Sequence, residues 1–181
     1  MYPMEKMHAN LRECMNYLIQ LFYKTDKRYS CTRSKISKLL SILAFKYAVY
    51  SIQLFDEKIF RYDECGTIIN DIEAWADREV YFCCSYDKLE KSISQENLNE
   101  NVDIPPYYQE ISSLSSELKE AIEYVFFAFG AYSTTELSEL LNPIVEYKGI
   151  CRPDGSIELN EIIWLRHKLP GNKVLDHIFY R

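Results

Sequence analysis

Five glycines and three histidines in 181 residues leave little material for two common kinds of site. A phosphate-cradling loop needs closely spaced glycines so that backbone N–H groups can approach an anion, and no such spacing occurs. His8, His167 and His177 form no His-Glu-x-x-His pair, and no Gly-x-Ser-x-Gly elbow is present. No stretch approaches the ~20 consecutive apolar residues that a membrane-crossing helix needs. The first twenty residues lack the apolar core and small-residue cleavage site of a secretory signal, so the expected location is cytoplasmic. The six cysteines, Cys14, Cys31, Cys65, Cys83, Cys84 and Cys151, include no Cys-x-x-Cys pair. Adjacent Cys83 and Cys84 cannot easily chelate one metal together, and reduced thiols are the default in that compartment. Two arrangements remain to be tested by a fold: a dyad of Cys83 or Cys84 with His167, and a metal set of His167, His177 and Asp176. Neither has a diagnostic spacing, so the expectation is a chain that is not an enzyme, with no catalytic residue, no metal and no cofactor.

What the chain does have is ordinary for one globular domain: 48% hydrophobic and 27% charged residues. At this length folding buries roughly 70% of the unfolded chain's surface, enough for a core without covalent staples. Tyrosine is the outlier, with fifteen copies; it suits interfaces and also fills helical cores with its hydroxyl at the edge. The net charge of −6 argues against general nucleic-acid binding. That charge is uneven. Lys24, Lys27, Arg28, Arg33, Lys35, Lys38 and Lys46 stand against Asp26 alone, a segment of +6 that leaves −12 elsewhere. Such a run is usually a solvated basic face; the sharper reading is a docking patch for an acidic protein or phosphate.

Apolar periodicity predicts a succession of helices. In the first, from about Met4 to Tyr23, Leu11, Met15, Leu18 and Phe22 share a face, with Arg12, Glu13, Asn16 and Gln20 opposite. Thr32 or Ser34 can cap the second, whose stripe is Ile36, Leu39, Leu40, Leu43, Ala44 and Tyr47, with Lys35, Lys38 and Lys46 on another face. An extended connection follows, with a short strand near Lys58 to Tyr62, and a third helix is expected from about Thr67 through Ile68, Ile69, Ile72, Trp75 and Val80. Residues 92–116 are the most polar stretch, and Pro105 and Pro106 make it a loop. A helix over Ser115 to Gly130 carries Leu118, Ile122, Val125, Phe126 and Phe129. Ser133 and Glu136 have capping-box spacing for a short helix that Asn142-Pro143 is expected to end. Asp154-Gly155 marks a tight turn, and Leu159 to Leu165 and Val174 to Phe179 suggest two last helical pieces. The expected fold class is therefore mainly α: residues 1–181 as one compact multi-helix domain with at most a short β-hairpin or two, and a polar loop around 92–116.

The order of certain segments resembles the Panacea domain, the SocA-like family. Members typically show a Leu-Gln-Lys-Leu-Leu helix, a Leu-Phe-Asp-Glu stretch, and an aromatic-Gly-Pro-Val turn. Ile36, Ser37, Lys38, Leu39 and Leu40 stand at the first, Leu54, Phe55, Asp56 and Glu57 at the second, and Gly66 at the third. Phe129 to Pro143 is similar to the family's Tyr-Ser-x-x-Glu-Leu-Ser-x-Leu helix, and Gly155 to Ile162 to its Gly-x-Ile-x-x-x-x-Ile ending. The likeness spans roughly residues 8 to 165 and departs at Ser37, Cys65 and Thr67, which marks a divergent member. It implies an antitoxin-like protein that neutralises a protein toxin, encoded by a neighbouring gene in a bacterial or phage system, by direct binding. Together with the charge pattern it points to Arg33, Lys35, Lys38, Lys46, Phe55, Asp56 and Glu57 as the partner-binding set. The alternative reading is a nucleic-acid-binding regulator using the basic helix around residues 33–46, in a helix-turn-helix with the helix before it.

Overall fold

The computed structural model describes residues 4–7, 9–24, 32–64, 66–72, 114–147 and 149–179. Trp75, Val80, Cys31, Cys65, Cys83, Cys84, His8 and most of the expected loop at 92–116 lie outside the described residues. Five α-helices carry the fold: α1 (Leu11–Lys24), α2 (Arg33–Ala48), α3 (Ser116–Phe129), α4 (Thr134–Val145) and α5 (Lys173–Phe179). A 3-10 helix spans Leu159–His167. Two small sheets complete it, with β1 (Glu5–Lys6) parallel to β2 (Ile52–Gln53) and β3 (Phe60–Asp63) antiparallel to β4 (Gly66–Ile69). The mainly α fold class is as the sequence predicts. No helix among the described residues is long and apolar enough to cross a membrane.

The organising element is α2. Thirteen of its sixteen residues are buried, which makes it a central helix rather than an amphipathic one at the surface. Thr32 starts it, its Oγ1 accepting from the Lys35 N–H at 3.1 Å. Around it pack α1, α3, α4, α5, β2, β4 and the 3-10 helix. On α1 the residues Cys14, Met15, Leu18, Ile19 and Phe22 are buried, and Phe22 meets Phe126 of α3 edge-on at 4.8 Å between ring centroids. Asn16 and Gln20, expected on the solvent side of that helix, are buried as well. Each fully buried Leu, Ile or Phe in this set contributes roughly 1.5–3 kcal/mol of transfer free energy.

Four boundaries differ from the sequence expectation, each for a physical reason. Residues 5 and 6 pair with Ile52 and Gln53 instead of extending the first helix, so α1 begins only at Leu11. Thr67 to Ile69 form β4 rather than opening a helix; β-branched side chains on a two-stranded ladder face Tyr62, Arg61 and Phe60, and helical backbone starts only at residue 70. In α4 the capping box is present, Ser133 Oγ accepting from the Glu136 N–H at 3.2 Å and Glu136 Oε2 from the Ser133 N–H at 2.7 Å. The helix nevertheless runs on through exposed Pro143, because Ile144 and Val145 are fully buried and hold its last turn in place. Leu159 to His167 is 3-10 rather than α: Leu159, Ile162 and Leu165 recur every third residue and are all buried, the period at which 3-10 side chains line up.

Candidate functional site

The seven residues singled out as partner-binding do not form one surface. Lys35 and Lys38 are 1% and 0% exposed and Lys46 is 6% exposed, so the basic helix has no solvated basic face. Lys35 lies with its Nζ 5.2 Å from the centre of the Phe22 ring, toward α1. Lys46 has its Nζ 4.6 Å over Tyr124 of α3. Lys38 reaches β4. Arg33 is half-buried, while Phe55 is buried and packs at 6.4 Å from Phe60. Asp56 is exposed and caps the short 3-10 turn Glu57–Ile59 by accepting from the Lys58 N–H at 3.0 Å. Burial raises the carboxyl pKa of half-buried Glu57, with Arg152 and Lys6 opposing the rise and Asp56 adding to it. A nucleic-acid reading asked Lys35, Lys38 and Lys46 to meet phosphates; in this fold all three are buried.

Lys38 is the centre of a buried polar cluster. Its ammonium donates to Ser34 Oγ and to the Thr67 carbonyl, both at 3.4 Å. Gly66 brings β4 close enough for this. Its φ of +84° is in the left-handed region, and a Cβ there would sit 3.1 Å from Asn142 Oδ1 and 3.4 Å from both Lys38 Nζ and Ser138 Oγ. Three segments that carry the family resemblance thus meet at one point: the helix holding Lys38, the turn holding Gly66, and the helix holding Ser138 and Asn142. The two departures from the family's pattern within the described residues also fall here. Ser37 and Thr67 are fully buried, and among the described residues the Ser37 hydroxyl, the Thr67 hydroxyl and Asn142 Oδ1 have no hydrogen-bond partner.

A second assembly lies at the other end of α2. The Tyr124 ring meets both Lys46, with its Nζ 4.6 Å from the ring centre, and His177 of α5, stacked at 4.5 Å and 13°. His177 is edge-on to Phe129 at 5.1 Å. Desolvation, with the Lys46 charge adding, holds the His177 pKa below its ordinary value. His177 is therefore engaged in aromatic packing, and among the described residues no group of three His, Cys, Asp or Glu side chains could hold a metal. The Cys14 thiol is buried and pushed up to about 12, chiefly by desolvation. Burial also raises half-buried Cys151.

Among the described residues, two clefts can be outlined at the surface. One of about 220 Å³ lies along the Leu-Phe-Asp-Glu stretch, between Lys6 on β1 and Asp56 and Lys58. The larger, of about 370 Å³, lies between the end of α2 and the start of α3, and Tyr47, Tyr50, Ile52, Glu117 and Glu120 contribute to its walls. Tyr50 is 60% exposed there. Farther along α3 Phe127 is 72% exposed, and Trp164 on the 3-10 helix 63%. The basic-run argument did not select these aromatics. A signal was present for one of them: Phe127 falls outside the apolar sector made by Leu118, Ile122, Val125, Phe126 and Phe129, so a helix already amphipathic carries a surplus aromatic on its outer side. No protein-family model, curated protein or solved structure matches this chain.

Proposed function

We propose that this chain acts by binding rather than by catalysis, as an antitoxin-like protein of the Panacea, SocA-like kind that neutralises a partner toxin through direct contact in the cytoplasm. The observation that carries the reading is the convergence at Lys38. Segments about a hundred residues apart, whose order resembles that family, supply Lys38, Gly66, Ser138 and Asn142 to a single polar cluster. Lys38, Gly66 and Thr67 are buried at its centre, so the role of the cluster in this reading is to fix α2, β4 and α4 against one another. Binding then falls to side chains on the outside of that frame.

The test is genetic and biochemical together. The product of the adjacent open reading frame should arrest growth when expressed alone, and this chain should restore growth and co-purify with it. If the neighbour is harmless, or if this chain fails to relieve the arrest, the antitoxin reading is wrong.

A further inference from the structure

We infer that the outer face of α3, together with the cleft it makes with Tyr50, is the docking surface for a basic amphipathic helix of the partner protein. Glu117, Glu120 and Phe127 stand at i, i+3 and i+10, with half-buried Tyr124, already held against Lys46 and His177, between them at i+7, so all four lie along one side of α3 over about 15 Å. The stripe begins acidic and ends apolar. Glu117 and Glu120 are exposed at one end, beside exposed Tyr50; Phe127 is exposed at the other. Two lysines lie nearby, and both rest against aromatic rings. Lys119 lies 5.9 Å from the centre of the Tyr17 ring, and Lys46, the lysine among the residues lining the cleft, is buried against Tyr124. The charges exposed at the mouth of the cleft are the carboxylates of Glu117 and Glu120, beside aromatic walls, with Lys46 buried at its base.

That combination selects its occupant. Lysine or arginine side chains can lay their aliphatic stems on Tyr50 and Tyr47 while their charged heads meet Glu117 and Glu120. An apolar residue two to three turns farther along the same helix reaches Phe127. Helix-in-groove recognition with one charged and one apolar anchor has this layout. Charge complementarity would also speed encounter, because a net charge of −6 attracts a cationic partner before contact.

This inference rests on the reading of the chain as a partner-binding protein, and the experiment separates the two. The probe is a dye-labelled synthetic helical peptide of about 18 residues, five turns, with lysines on the first two turns and leucines on the same side farther on. A control peptide carries glutamate in place of each lysine. Binding is read by fluorescence anisotropy against the full chain, its Glu117→Lys/Glu120→Lys variant and its Phe127→Ala variant. These positions are exposed, so circular dichroism and melting should remain as in the parent. The lysine peptide should bind the parent, lose at least about tenfold in affinity to each variant, and weaken as salt rises. Equal binding by the charge-reversed variant, or equal binding of the glutamate peptide, overturns the inference. So does a concentration-dependent dimer of the chain that Phe127→Ala dissolves, because the face is then a self-association surface. In the growth assay, rescue by the parent and equally by the charge-reversed variant removes the face and leaves the antitoxin reading standing. Failure of the parent to rescue, with peptide binding still dependent on Glu117 and Glu120, does the reverse.

Discussion

Replacing Gly66 by alanine tests the convergence at Lys38 with one added methyl group. Two costs are separable. The backbone at Gly66 has φ +84°, where an L-residue pays about 1–2 kcal/mol for the contact of its Cβ with its own carbonyl. The methyl also arrives 3.1 Å from Asn142 Oδ1, tight enough that the neighbour must give by a few tenths of an ångström, and touches Lys38 Nζ and Ser138 Oγ at 3.4 Å. Relieving that crowding moves β4 away from α2 and α4, and the Lys38 hydrogen bonds, already 3.4 Å long, are the first to go. Losing one charge-assisted bond adds about 1.5 kcal/mol, for a total near 2–4 kcal/mol. In a chain of this size that is a fall of roughly 5–12 °C in Tm. Gly171→Ala supplies the control: its φ is +79° but nothing lies within 4 Å of the new methyl, so it bears the backbone cost alone. Thermal and urea unfolding followed by circular dichroism give both differences. If Gly66→Ala and Gly171→Ala lower stability equally, the close approach of β4 to Lys38 contributes nothing and the argument from convergence fails.

Leu40→Ala should cost roughly 2–5 kcal/mol in urea unfolding, since Leu40 is buried on the central helix; a loss under ~0.5 kcal/mol would place it elsewhere. Thr67→Val keeps the β-branched shape and removes a buried hydroxyl that has no partner, so stability should rise by roughly 1 kcal/mol, and a clear fall would mean that the hydroxyl is in fact bonded. His177 has its folded pKa below the ordinary 6.5, so on acidification the unfolded chain takes up the proton first. Its share of stability is full above 6.5 and is lost as pH falls from there through the lower folded value. Melting temperatures between about pH 7.5 and 5.5 should decline more steeply for the parent than for His177→Phe, and parallel curves would exclude this histidine as the cause. Cys14, buried and with its thiol pushed up to about 12, should be alkylated by iodoacetamide only under denaturing conditions; rapid labelling of the native protein, mapped by mass spectrometry, would contradict its burial.

Much of the helical frame was legible because its signals are local. A cap needs a residue and a backbone N–H three positions on, as at Thr32 and Ser133, and both act as caps in the fold. An apolar stripe needs only the helical period, and Leu118, Ile122, Val125, Phe126 and Phe129 are buried together on α3 as their spacing demands. Where local signals conflicted, the distant neighbour decided. Pro143 reads as a terminator, yet Ile144 and Val145 find a core and keep the helix going. Glu5 and Lys6 read as helix, yet Ile52 and Gln53 offer them a strand.

The candidate site was the least legible part, and the lysines of α2 show why. By itself the sequence determined that Lys35, Lys38 and Lys46 sit on a helix, off the apolar stripe of Ile36, Leu39, Leu40 and Leu43. A helix with a stripe and a charged flank ordinarily shows that flank to water. Only the tertiary structure decided otherwise, by wrapping α2 with helices, strands and a 3-10 segment on every side and giving each lysine a counterpart: the Phe22 ring for Lys35, the Thr67 carbonyl for Lys38, the Tyr124 ring for Lys46. Burying an ammonium is costly unless such groups compensate it, and these come from parts of the chain far from each lysine. The hydrophobic period of a helix is a property of its own residues. Whether its polar side meets water or the core depends on what the rest of the chain brings to it.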